Sequence, residues 1–291
     1  MVIKHIVLSG GAHIGFSIYG SLSHLVENKF VELKNIQTIY ATSVGSFIAL
    51  LICLPIEKHD ILDYVINRPW DNVFPLHPSM FIDIYNTKGL YDDKFIRDIL
   101  KPIFATCDIS MDITMSELYD YTKIEHHFFS VDLNNMEIIN ISYKTHPELS
   151  LIKALHMSSA IPYVIKPVFY EDKCCIDGGI ISNFPLDFCM QDTQCSNDEI
   201  IGIKSENSIY NNNKLNTSST LLEMTYMFLY HSINSLKRKT STDISNILHI
   251  PTIGIGLDIM RETITSKEQR QLLINDGIKI AETFLASMPK R

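Results

Sequence analysis

The start of the chain runs twice through the same order of patterns. An apolar run of strand length enters a turn of small residues, and a longer run with helical spacing follows. Residues 2–8 lead through Ser9-Gly10-Gly11-Ala12-His13-Ile14-Gly15 into residues 16–28, where Ile18, Leu22, Leu25 and Val26 recur at helical intervals. Residues 36–41 lead through Thr42-Ser43 into the apolar run 44–56. A chain that alternates strands and helices in this way builds a mainly parallel sheet, because each helix carries it back to start the next strand on the same side.

Further along, residues 58–67 and 93–104 read as helices. Residues 127–133 and 137–141 read as a strand pair turning at Asn134-Asn135. A helix over 149–158 precedes strands over 164–168, 173–176 and 199–204. Residues 221–236 carry an apolar stripe of Leu222, Phe228, Leu229, Ile233 and Leu236, with Thr225 in register, which predicts a helix packed on the core, a lipid-facing wall being the alternative. The last helix is expected to open on a capping box, Thr265-Ser266-Lys267-Glu268, and to run to about residue 288. The stretch 205–219 is polar and reads as a surface loop or a lid. No repeat or linker divides the chain, so the expectation is one domain over 1–291: a three-layer α/β/α sandwich with a mainly parallel central sheet.

Composition narrows the function. With 46% hydrophobic residues the chain can bury a substantial core. The net charge is −8. Its basic clusters, Lys237-Arg238-Lys239 and Lys290-Arg291, read as solvated helix ends, so nucleic acid is not expected as a partner. The 6 cysteines show no metal-ligand spacing, which argues against structural zinc and for reduced thiols in the cytoplasm. The N-terminal run has no signal-peptide pattern, and the longest apolar run is too short to span a bilayer.

The chemistry sits in the turns. Ser43 lies in Ala41-Thr42-Ser43-Val44-Gly45, between a strand and a helix, which is the layout of a nucleophile elbow with alanine in place of the first glycine. A plain helix N-cap fits the same position. The glycine turn at residues 9–15 frees backbone N–H groups at a helix start, where they suit a phosphate or the oxyanion of acyl transfer. A dinucleotide site needs G-x-G-x-x-G and an acidic residue ending the second strand, and the chain has neither. A nucleophilic serine needs a base. Asp177, in Cys175-Ile176-Asp177-Gly178-Gly179, ends a strand before two glycines, although an ordinary Asp-Gly hairpin would read alike. His231 or His249 could complete a triad by chain order, but residue 43 comes too early for the α/β-hydrolase topology.

Four blocks in this order resemble the patatin-like phospholipases: the glycine turn at 9–15, the elbow at 41–45, Ser158-Ser159-Ala160-Ile161-Pro162, and Asp177-Gly178-Gly179 followed by Asn183 and Pro185. Residues 88–92, 145–147 and 254–258 are softer likenesses. The resemblance implies a Ser-Asp dyad, with Ser43 as nucleophile and Asp177 as base, and an oxyanion hole from Gly10, Gly11 and Ala12. It implies no metal and no cofactor. The implied substrate is a phospholipid or other glycerolipid at a membrane surface, hydrolysed in the manner of a phospholipase A or lysophospholipase. A protein or lipid activator fits this class, as does a cytoplasmic or peripheral-membrane location. The chain departs from the family at Ala12, at Ala41, and at Ile14, where the family carries Arg or Lys. These departures motivate the alternative, a weak or inactive patatin-like lipid-binding module.

Overall fold

A computed structural model of the chain describes residues 2–75, 77–207, 215–219, 224, 227–228, 231–232, 235, 244–252 and 257–288. Its centre is an eight-stranded sheet in the order β10-β9-β1-β2-β4-β8-β7, with β5 also paired to β4. The strands are β1 (His5–Leu8), β2 (Thr38–Thr42), β4 (Glu125–Asp132), β5 (Glu137–Ile141), β7 (Val168–Tyr170), β8 (Lys173–Asp177), β9 (Ile200–Asn207) and β10 (Asn246–Thr252). A small parallel pair, β3 (Gly89–Tyr91) with β6 (Tyr163–Ile165), stands apart. From β10 to β4 every ladder is parallel; β5, β8 and β7 add antiparallel ladders.

Both faces of the sheet are covered, and side-chain alternation shows it. Ile6, Leu8, Ile39, Ala41 and Phe128 join one large core, whereas their neighbours Val7, Tyr40 and Phe129 join a second core on the opposite face. The larger core lies under α1 (Gly15–Glu27), α2 (Val44–Cys53), α3 (Lys58–Asn67), α6 (Asp93–Thr106) and α8 (Leu151–Ser159). The second lies under α9 (Leu186–Thr193). Between these stand the short α4 (Trp70–Val73), α5 (Pro78–Thr87) and α7 (Met115–Thr122); α10 (Leu257–Thr265) and α11 (Lys267–Ser287) close the described chain. The expected α/β/α layering with a mainly parallel sheet is what the chain forms.

The last helix is fastened to the first. A methyl group on Gly277 would lie 2.0 Å from the Ser17 carbonyl oxygen, and one on Gly20 would lie 2.3 Å from that of Ile274. Only two glycines let α1 and α11 approach this closely. Arg270, 4% exposed, donates to the carbonyl oxygens of Ile66, Arg68, Thr263 and Ile264, so one guanidinium closes the ends of α3 and α10. Each buried carbonyl stripped of its donor costs about 1–3 kcal/mol. Arg270→Met should therefore lower stability by roughly 3 kcal/mol or more, read as a shift in urea midpoint at unchanged slope.

Several boundaries move, each for a physical reason. The single strand expected over 164–168 is two, because Pro167 has no N–H to give a ladder; β6 pairs with β3 and β7 with β8. The cap of α11 is Ser266, which accepts from the Gln269 N–H at 3.1 Å, one residue later than the expected box. Residues 205–207 of the expected polar loop extend β9 and pair with Ile250, Pro251 and Thr252. Residues 208–214 of that loop lie outside the described residues. So does most of the expected 221–236 helix; its described positions are helical, but Phe228, expected in the core, is 71% exposed.

Candidate active site

Register alone brings the two candidate residues to neighbouring positions in the sheet. Phe128 and Phe129 pair with β2 on one edge of β4 and with β5 on the other. Ser130, Val131 and Asp132 pair with β5 and with β8. Strands β2 and β8 therefore share one edge of β4 and run toward each other along it. Strand β2 ends with Thr42 opposite Phe129, and β8 ends with Asp177 opposite Ser130. Ser43 and Asp177 thus leave their strands at adjacent positions of β4. This is also where the sheet changes from parallel to antiparallel.

Ser43 has φ 55 and ψ −128, a conformation rare for a residue with a side chain. It stands at the N-cap position of α2, yet its side chain makes no capping bond. The helix-cap alternative therefore has the position right and the interaction wrong. Instead the backbone is held from outside. The Ser43 N–H donates to Ser158 Oγ at 3.0 Å, Ser158 Oγ lies 3.1 Å from Ser46 Oγ, and the Ser46 hydroxyl donates to the Ala41 carbonyl at 3.3 Å. The Thr42 hydroxyl donates to the Ser182 carbonyl at 3.0 Å. Ala41 is fully buried in the larger core, which accepts its methyl group. Gly45 has no such latitude: a methyl group there would sit 2.7 Å from the Ser9 carbonyl oxygen. The block containing Ser158 is visible in the sequence, but the hydroxyl chain is not, because it depends on α8 packing beside α2.

Asp177, 5% exposed, caps a short 3-10 turn at residues 178–180; this turn stands where the hairpin alternative expected a returning strand. Its Oδ1 accepts from the Gly179 N–H at 2.6 Å, and its own N–H donates to the Ala160 carbonyl at 3.0 Å. Residues 158–160 therefore support both candidates, Ser158 the serine and Ala160 the aspartate.

The glycine turn leaves β1 beside Ser43. A methyl group on Gly10 would lie 2.9 Å from Ser43 Cβ and 2.7 Å from Asn183 Oδ1. One of the expected donors is committed elsewhere: the Gly10 N–H donates to the Asn183 carbonyl at 3.1 Å and so does not point into the site. Gly11 and Ala12 remain as the candidate oxyanion donors. Ala12 stands at φ 49, where a side chain is disfavoured and glycine is not. Ile14, which takes the place of the family's cation, is 1% exposed and belongs to the core beneath the turn, so the substitution removes a charge without putting an apolar group over the serine. His13 is buried beside them, which holds its imidazole below the usual range and keeps it neutral. Gly10→Ala should press the turn away from Ser43. A displacement near 1 Å costs on the order of 10²-fold in rate, so kcat on an ester substrate should fall about that far with the fold retained.

Of the alternative histidines, His249 stands apart. His249 pairs with Glu206 through Nδ1 at 2.6 Å on β10, three strands from β2 and so roughly 14 Å away at the usual strand spacing. His231 is exposed. Among the described residues no cluster of His, Cys, Asp and Glu could hold a metal ion, and no helix is long and apolar enough to cross a membrane.

The family model described as patatin-like phospholipase matches residues 6–190. An uncharacterized protein of Acanthamoeba polyphaga mimivirus is 28% identical over 248 residues, which cover 84% of this chain and 79% of that protein. A probable lipid hydrolase of Invertebrate iridescent virus 6 is 26% identical over 190 residues, 65% of this chain and 63% of that protein. Among solved structures, VipD from Legionella pneumophila superposes with a TM-score of 0.58 at 16% identity, covering 99% of this chain and 67% of that one, which shows a shared fold.

Proposed function

Since this chain belongs to the patatin-like phospholipase family, we propose that it is a lipid acyl hydrolase of phospholipase A or lysophospholipase type, working through a Ser43–Asp177 dyad. The observation that carries the reading is the meeting of β2 and β8 on one edge of β4, which delivers a strained, uncapped serine and a buried carboxylate to adjacent positions.

In the proposed reaction, Asp177 takes the hydroxyl proton of Ser43 as its oxygen attacks the ester carbonyl of a glycerolipid. The Gly11 and Ala12 N–H groups receive the oxyanion. Collapse of the tetrahedral intermediate breaks the ester C–O bond, and the departing glyceryl oxygen takes the proton back from Asp177. Water, deprotonated by Asp177, then attacks the acyl-enzyme. Fatty acid leaves and the proton returns to Ser43. Nothing in this cycle calls for a metal or cofactor. The substrate is drawn from a membrane surface, with the enzyme cytoplasmic and peripheral, and a protein or lipid activator is compatible with it.

We read residues 1–291 as one domain. Support comes from β9 and β10, which lie beyond the family match but extend the sheet from β1, and from α11, which packs on α1. Two assays on the same sample test the function: acyl release from phospholipid and lysophospholipid vesicles, and labelling by a fluorophosphonate. Acyl release with stoichiometric label on Ser43 is expected. Vesicle binding with neither would overturn hydrolysis in favour of the lipid-binding module.

A further inference from the structure

Asn183 is the residue in which three separate segments of the site meet. It follows the 3-10 turn of Asp177. Its carbonyl accepts the Gly10 N–H at 3.1 Å. Its side-chain amide donates to the Gly10 carbonyl at 3.3 Å and to Ser205 Oγ on β9 at 3.1 Å. Ser205 in turn donates its N–H to Ser9 Oγ at 2.8 Å, in the first residue of the glycine turn. Asn183 Oδ1 lies 2.7 Å from where a methyl group on Gly10 would be, and equally close to one on Gly179. The carboxamide is thus fitted between the turn beside Ser43 and the turn after Asp177.

The Gly10 carbonyl and the Gly11 N–H belong to one peptide unit. That unit is planar, and in the trans form its C=O and N–H point in opposite directions. A group that fixes the Gly10 oxygen therefore fixes the direction of the Gly11 N–H, away from Asn183. Without such a group the unit would turn easily, because both residues flanking it are glycine and meet little steric resistance. Resting on the reading of Gly11 and Ala12 as oxyanion donors, we infer that the Asn183 side chain is a positioning residue that aims the Gly11 N–H at the oxyanion. Its effect belongs to the transition state, since the N–H bonds more strongly to the developing O⁻ than to the ground-state carbonyl.

The test uses Asn183→Ala, which removes the amide, and Asn183→Asp, which keeps its volume and lacks its donor at neutral pH. Hydrolysis of a chromogenic ester and inhibition by a long-chain trifluoromethyl ketone are measured, with melting temperature and fluorophosphonate titration fixing the folded, reactive fraction. Loss of an oxyanion donor lowers kcat about 10²–10³-fold; a donor left in place but unaimed should lose about 10²-fold, with KM within about threefold. The inhibition constant of the ketone, whose adduct places an oxyanion in the same turn, should rise in step with the loss in kcat/KM. A purely structural role would not produce that parallel. Wild-type kcat and inhibitor affinity in both variants overturn the inference, as does a loss that only tracks the folded fraction. Turnover that survives Ser43→Ala overturns the underlying dyad instead. Dependence on Ser43 with indifference at Asn183 removes the aiming role alone.

Discussion

Ser43→Ala should abolish ester hydrolysis, by about 10⁴-fold or more in kcat, and should eliminate fluorophosphonate labelling with it. The fold should tolerate the change. The Ser43 hydroxyl caps nothing, and the elbow is held by other groups: the Ser43 N–H bond to Ser158, the Thr42 hydroxyl bond to the Ser182 carbonyl, and the contact of Gly45 with the end of β1. Alanine meets the same backbone strain as serine, so stability should move by less than about 1 kcal/mol. A Ser43→Ala protein that is folded and inert separates chemistry from architecture. One that retains full turnover removes the dyad, and with it the reason for the strained turn.

Why the serine was legible at all is a local matter. Strand, turn and helix within residues 38–53 are each set by their own residues, and the small residues at 41 and 45 mark a close crossing. The same holds for the strand pair β4 and β5, whose turn residues sit next to each other in the chain. What the chain order concealed is the shared edge of β4. Nothing near Asp177 announces that β8 runs antiparallel, head to head with β2; that follows from long-range pairing, and a plain Asp-Gly hairpin would have had the same residues. The engagement of the Gly10 N–H is hidden in the sequence for a related reason. A glycine-rich turn shows that donors are available, but only the position of residue 183 determines which donor is already taken. The single strand expected over 164–168 overlooks, by contrast, a local signal: the proline at 167 marks the break between β6 and β7. At residues 9–15 the family departures also changed meaning. Ile14 is a core residue under the turn, whereas Ala12 at φ 49 is the departure that touches a proposed donor.

Asp177→Asn is the sharper test of mechanism, because it changes one atom and little else. An asparagine oxygen can still accept the Gly179 N–H, and the backbone bond to Ala160 is unaffected, so the turn and the strand end should persist. What is lost is the carboxylate that the proposed dyad uses to take a proton from Ser43. Replacing a buried catalytic carboxylate by its amide lowers kcat about 10⁴-fold in the serine hydrolases where it merely orients a histidine. In the proposed dyad the carboxylate is the base itself, so the loss should be at least that large, about 10⁴-fold, with the rate of fluorophosphonate labelling falling alongside it. The histidines supply the contrast. His249 is paired with Glu206 three strands away, so His249→Asn and His231→Asn should each leave kcat within about twofold of wild type, the scatter of ordinary surface substitutions. Loss at Asp177 with indifference at both histidines identifies a dyad. Loss at either histidine comparable to that at Asp177 requires a triad, and for His249 the chain would have to bring the imidazole to the end of β2 from β10.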